Sequence, residues 1–251
     1  MKKMLRSSLS SFFYFGGRLF GQVPAGTRIL CYHRVSDDDK GCLTVPVSNF
    51  SEQMQHLAQQ GYRTVSLGDV LAGNAGEKSV VVTFDDGYLD NYENAFPVMK
   101  SFGFKGMIFC VTGWIGDDPC LGLEEIREMQ RAGFEFGAHT QSHAHLRSLD
   151  PEGKRREIAG AKKKMEDQLG RPCEFFCYPY GEYDNESVKA VKEAGYRGAC
   201  SNIPGANKGR YPYLLRRTEI AGEDTLDDFK KKLAGAFDLL HSGLHWVRGR
   251  A

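Results

Sequence analysis

Along the chain, short apolar runs rich in β-branched and aromatic residues alternate with stretches whose apolar positions recur every third or fourth residue. The first pattern suits strands buried on both faces and the second suits helices with one apolar stripe. Their alternation predicts β/α units around a parallel sheet. Strands are predicted over residues 28–33, 62–66, 79–84, 104–111, 134–139, 174–178, 198–201 and 214–220, with helices over 48–60, 88–102, 122–132, 151–169, 185–194 and 225–237. Ser48, with Glu52 nearby, is placed to cap the first helix. Gly61, Gly103, Gly133, Gly170 and Gly195 follow helical stretches, where a left-handed residue is favoured. With 251 residues, 41% hydrophobic content and no internal repeat or long linker, the chain reads as one α/β domain around one core.

Composition narrows the function. Lys plus Arg total 33 against 32 Asp plus Glu, and a net charge of +1 creates no field that would gather nucleic acid, so no nucleic-acid partner is expected. The seven cysteines are odd in number and irregularly spaced, which argues against a disulfide framework and for a reducing, cytoplasmic compartment. Cys173 and Cys177, the one close pair, read as small core residues on one strand face. Lys2, Lys3, Arg6 and Arg18 lie among Phe12, Phe13, Tyr14, Phe15 and Phe20 with no acidic residue between them. Residues 1–26 therefore read as a basic-aromatic segment suited to peripheral contact with the inner face of a membrane, and residues 27–251 as the main domain. No run of about 20 apolar residues offers a spanning helix.

Three polar clusters each follow a predicted strand. In Val80-Val81-Val82-Thr83-Phe84-Asp85-Asp86-Gly87-Tyr88, an apolar run ends in two adjacent carboxylates and a glycine. A turn there can bring both acids into one pocket, one binding a cation and the other free as a base; taken alone, the segment also reads as an Asp-Gly turn before a helix. In His139-Thr140-Gln141-Ser142-His143-Ala144-His145, His139 and either His143 or His145 can converge on one metal ion. In Tyr178-Pro179-Tyr180-Gly181, a proline-fixed loop offers the Tyr180 amide as an oxyanion donor and its aromatic rings to a sugar. Together the parts specify metal-assisted hydrolysis at the C-terminal ends of strands, the end that carries chemistry in β/α barrels.

These residues resemble the polysaccharide deacetylase (NodB-like) domain of carbohydrate esterase family 4. TFDDGY at 83–88 is similar to its first motif, HTQSH at 139–143 to its second and YPYG at 178–181 to part of its third. CYHRV at 31–35 and LRRTEI at 214–220 look like the branch acting on poly-N-acetylglucosamine and related cell-surface glycans.

The resemblance implies a distorted, incomplete (β/α) barrel of TIM-like form and an N-acetylated glycan as substrate. It implies Asp85 as general base and Asp86, His139 and His143 as metal ligands, with His145 second choice. The ion is expected to be zinc, with cobalt or nickel able to occupy such a site. Tyr178, Pro179, Tyr88 and Arg217 are expected to contact substrate.

Two departures from the family pattern matter. Cys177 stands where an Arg often neighbours the catalytic Asp, and Arg216 or Arg217 is expected to replace it from a later strand. No late motif supplies a histidine as general acid, so His33, at the end of the first strand, is expected to protonate the leaving amine, with His241 as rival. Deacylation of a lipid-linked amino sugar and a catalytically silent glycan-binding domain are the alternative readings.

Overall fold

The computed structural model describes residues 26–236 and 238. The expectations for the N-terminal segment up to residue 25, for Phe237 and for His241 lie outside them. The strands are β1 (Arg28–Tyr32), β2 (Arg34–Val35), β3 (Thr44–Val45), β4 (Arg63–Thr64), β5 (Ser79–Phe84), β6 (Met107–Cys110), β7 (Glu135–Ala138), β8 (Phe175–Cys177), β9 (Gly198–Cys200) and β10 (Thr218–Glu219). The helices are α1 (Val47–Gln59), α2 (Leu67–Ala72), α3 (Phe96–Ser101), α4 (Leu123–Arg131), α5 (Pro151–Leu169), α6 (Asn185–Glu193) and α7 (Leu226–Leu233).

The main sheet is parallel, in the order β10-β1-β5-β6-β7-β8-β9. A parallel bridge from Cys200 to Leu215, just before β10, brings its two ends together. The ring is irregular. β4 pairs with Ser79 and Val80 and β6 with Thr83 and Phe84, and the closing stave β10 is two residues long. This is a distorted, incomplete (β/α) barrel. Parallel crossovers place helices outside the ring, so its strands are buried on both faces.

Two apolar clusters follow. The larger, outer one joins Leu30, Val80, Val82, Ile108 and Phe176 to the helices; the smaller, inner one contains Ile29, Val81, Phe109, Phe175 and Cys177. Helix α2 plugs the bottom with Leu67 and Val70. Gly137 faces this interior. A Cβ there would lie 2.6 Å from the Phe109 ring and 2.7 Å from Phe175 O, so a side chain is excluded.

All five glycines named above have positive φ. Other expectations need correction. Ser48 does not cap α1: the cap position is Pro46, which makes no side-chain cap bond, and Ser48 lies inside the first turn. The helix predicted over 88–102 is a π-turn at Asn91–Ala95 followed by α3, because Pro97 has no N–H for the regular ladder. The short β2–β3 pair and α2 were not predicted, although Ser66 and Asp69 form a capping box that is a sequence signal for α2. Cys173 and Cys177 do not share a face: Cys173 joins the outer cluster and Cys177 the inner one. All seven cysteines are unpaired.

Candidate active site

The three clusters meet at the C-terminal mouth of the barrel. Along β5, Val81 and Thr83 point inward and Asp85 is the next inward position, its N–H donating to Tyr32 O at 2.9 Å. The chain then reverses through Asp86 (φ 72°) and Gly87 (φ 80°), so both neighbouring carboxylates face the same mouth. A Cβ at Gly87 would lie 3.0 Å from Cys110 Sγ. His139 follows β7, its N–H on Cys110 O at 2.8 Å, and Thr140 (φ 65°) and His143 (φ 58°) fold the following loop back over it. After β8 comes Tyr180 (φ 58°). Among the described residues these four are the non-glycine residues with positive φ, a conformation costing about 1–3 kcal/mol each. Their concentration at one mouth marks geometry that the surrounding fold imposes.

Asp86 Oδ1 stands 3.6 Å from His139 Nε2 and 3.3 Å from His143 Nε2. It is buried and has no hydrogen-bond partner, an unfavourable state that a cation among the three groups would relieve. His139 Nδ1 lies 2.8 Å from Cys177 O and His143 Nδ1 3.0 Å from Tyr180 Oη. With Nδ1 protonated and donating in each, both Nε2 lone pairs face Asp86. Burial pulls His139 down to about 3 and also lowers His143, so both imidazoles are neutral at pH 7. Burial, with repulsion from Asp85, pushes Asp86 up to about 6. Two neutral imidazoles and a carboxylate lacking a counter-charge fit a divalent cation, and three protein ligands is the number found in catalytic zinc sites.

Asp85 is treated in the opposite way. Burial alone would push its carboxyl up, but the Arg217 guanidinium more than reverses this by charge and hydrogen bonding, and holds it well below the usual carboxylate range. The pair is bidentate, Nη1 to Oδ1 at 2.6 Å and Nη2 to Oδ2 at 2.7 Å, with side-chain exposures of 0% and 2%. Arg217 is fixed in turn, donating to Ser201 O (3.0 Å), Asn202 Oδ1 (2.6 Å) and Cys177 Sγ (3.0 Å). Two adjacent acids thus acquire different characters, one electrostatically satisfied and ionised, the other seeking a cation. His33 Nε2 lies 4.0 Å from Asp85 Oδ2, and its Nδ1 is buried without a partner.

Of the two arginines left open by the sequence, Arg217 pairs with Asp85, while Arg216 turns to Pro204 O. Arg217 is fully enclosed, so the expectation that it touches substrate is corrected: it holds the acid. Tyr178 is corrected too. It has 0% exposure and packs against Phe176 and Tyr183, because Cys177 takes the inward position on β8 and its neighbour must point outward into the helix layer. Pro179 is also buried and offers no surface to a sugar. Tyr88 is half-buried at the rim beneath the Arg34 guanidinium, 4.8 Å from its ring centroid. Tyr180 is 50% exposed, and its N–H is not used by the turn, whose bonds run from Gly181 to Tyr178 and from Glu182 to Pro179. His145 is not in the trio: it stacks on Tyr180 at 4.0 Å and its Nδ1 lies 3.0 Å from Glu182. Sequence reasoning missed Trp114, whose ring lies 5.6 Å from that of His143, and Asn202, which no motif signals.

The model of the polysaccharide deacetylase family matches residues 72–199, about half of the chain and all three clusters. YxkH of Bacillus subtilis (strain 168), which bears the same family name, is 34% identical over 206 residues, covering 80% of this chain and 73% of that protein. The poly-beta-1,6-N-acetyl-D-glucosamine N-deacetylase of Escherichia coli (strain K12) is 24% identical over 81% of this chain, which spans 38% of that longer protein. Among solved structures, the Streptococcus pyogenes deacetylase PplD in complex with acetate superposes with a TM-score of 0.77 at 25% identity, over 84% of this chain and 99% of that one. IcaB from Ammonifex degensii superposes at 0.72 and 27%, over 84% and 97%. The family match spans the loops that form the mouth, the same barrel recurs in these neighbours, and so the chain belongs to the polysaccharide deacetylase family of hydrolases.

Proposed function

We propose that this protein is a metal-dependent N-deacetylase of an N-acetylated glycan, with a β-1,6-linked N-acetylglucosamine polymer as the favoured substrate. The observation that carries the reading is the division of labour at the mouth: Asp86, His139 and His143 converge with an orphaned carboxylate oxygen among them, while Arg217 keeps Asp85 ionised beside them. The name of the E. coli relative supports the substrate class.

Asp86, His139 and His143 would hold the cation, zinc by family habit. When bound, it polarises the acyl carbonyl and acidifies water. Asp85 accepts the proton of the attacking water. A carboxylate held this low binds that proton only in passing, and the leaving nitrogen needs one. His33, facing Asp85 Oδ2, is placed to supply it. The free Tyr180 N–H donates to the oxyanion, held in place by its strained φ and by the Pro179 turn.

The test is acetate release from β-1,6-linked N-acetylglucosamine oligomers after chelation and after re-addition of zinc, cobalt or nickel, with O-acetylated xylan in parallel. Release that disappears with chelator and returns with metal is expected. Metal-independent release would refute the metal role, and release from xylan alone would move the substrate from amide to ester.

A further inference from the structure

The His139–His143 loop is held from outside by an acid that the proposed chemistry does not use. Glu157, half-buried on the face of α5 towards the mouth, accepts the N–H of Gln141 at 2.8 Å and of Ser142 at 3.0 Å on Oε2, and the Ser142 hydroxyl at 2.8 Å on Oε1. Successive N–H groups beside a left-handed residue form a concavity that attracts an anion, and here a side chain of the same protein fills it.

The rest of α5 is shaped for the same purpose. Gln141 Nε2 donates to Arg156 O at 2.7 Å, and a Cβ at Gly160 would collide with the Gln141 side-chain amide. On the opposite side, Thr112 N donates to Thr140 O at 3.1 Å and Gly113 N to Gln141 O at 2.8 Å. The loop is clamped between these two walls, with strained Thr140 at its start and strained His143 at its end. Among the described residues, the Glu157 carboxylate makes its hydrogen bonds to Gln141 and Ser142, so it is given over to the loop.

We infer that Glu157 is a positioning residue of the metal site, its carboxylate bracing the Gln141–Ser142 backbone so that His143 presents Nε2 to Asp86. The inference rests on the proposed metal-dependent reading. A carboxylate held against two N–H groups resists return of Thr140 and His143 to relaxed backbone, which would swing the imidazole away from Asp86. Partners of this kind, one shell out from the ligands, commonly set metal affinity by about 10- to 100-fold.

The test uses the full chain freed of metal and compares wild type with Glu157→Ala, Glu157→Gln and Ser142→Ala. Zinc affinity is measured by competition with a chromophoric chelator at a temperature where circular dichroism shows each variant folded. Glu157→Ala is expected to bind zinc about 10- to 100-fold more weakly, with Glu157→Gln and Ser142→Ala in between. Excess zinc is expected to restore most of the deacetylation kcat, because no reacting atom is lost. Unchanged affinity in folded Glu157→Ala would overturn the inference; if that variant does not fold, Glu157→Gln decides by the same criterion. Weak binding with no recovery of kcat would also overturn it, by giving Glu157 a role in the chemical step. Wild type that binds no zinc would instead remove the metal-dependent reading, and this inference with it.

Discussion

Replacing Arg217 by Met removes a cation of similar length and leaves Asp85 as a carboxylate enclosed in the barrel with no counter-charge. Arg217 is fully buried and Asp85 is 2% exposed, so no water replaces the two lost bonds of 2.6 and 2.7 Å. Breaking a buried ion pair from one side costs about 3–5 kcal/mol, a large share of the roughly 5–15 kcal/mol that holds a domain together. The sign with pH follows from the depressed Asp85 carboxyl. In wild type the pair contributes in full above the unfolded carboxyl value near 4 and is lost as pH falls through the lower folded value. In the variant, burial acts without its largest opponent and raises the Asp85 carboxyl, so the deficit should be greatest at neutral pH and shrink as Asp85 takes up a proton. Urea unfolding of the metal-free protein from pH 4.5 to 7.5 would measure this. The double variant Arg217→Met/Asp85→Asn should recover much of the stability and none of the activity, since the buried charge and the base are gone together. A neutral-pH loss below about 1 kcal/mol, the range of solvent-exposed pairs, would refute the reasoning. So would a deficit independent of pH.

Other outcomes test the same geometry. Gly137→Ala should destabilise by about 1–3 kcal/mol in thermal or urea melts, because its methyl meets Phe109 and Phe175 O inside a packed ring. His143→Ala should lose zinc by equilibrium dialysis, whereas His145→Ala, which alters a stack on an exposed tyrosine, should retain it. His33→Gln should lower kcat for amide hydrolysis by about 10²- to 10⁴-fold with metal content unchanged. The same variant should act on 4-nitrophenyl acetate much as wild type does, since that leaving group needs no proton; equal losses on both substrates would exclude an acid role.

The order of strands and helices was legible because parallel strands are buried on both faces and announce themselves as apolar runs. The three motif clusters were legible because each is contiguous and ends a strand. The choice between His143 and His145 was not, since period-2 alternation assumes an extended chain. Thr140 and His143 break it with left-handed φ values that no local pattern predicts for Thr or His. The partner of Asp85 is 132 residues away, so sequence could narrow it to two adjacent arginines and no further. Which of the two points inward is fixed only when that segment reaches Leu30 and Thr218 come into register.

Tyr178 is the instructive failure, because alternation held the answer. If Asp85 points into the barrel, the inward series of each strand is set by register with its neighbours. β7 pairs Ala138 with Phe176 of β8, placing Ala138, Phe176 and, by parity, Tyr178 on the helix side, with Cys177 turned to Asp85. An aromatic motif beside a catalytic loop invites a sugar-stacking reading, yet strand parity outranks residue type in deciding what a side chain can touch. The same parity explains the departure at Cys177. The inward position on β8 is held by a small thiol because the guanidinium that would otherwise grow from it arrives from the last stave instead, and Arg217 Nη2 lies 3.0 Å from Cys177 Sγ. An arginine placed at 177 would meet Arg217 in a fully enclosed space with one carboxylate between them, so the two positions are coupled and only one of them can carry the charge.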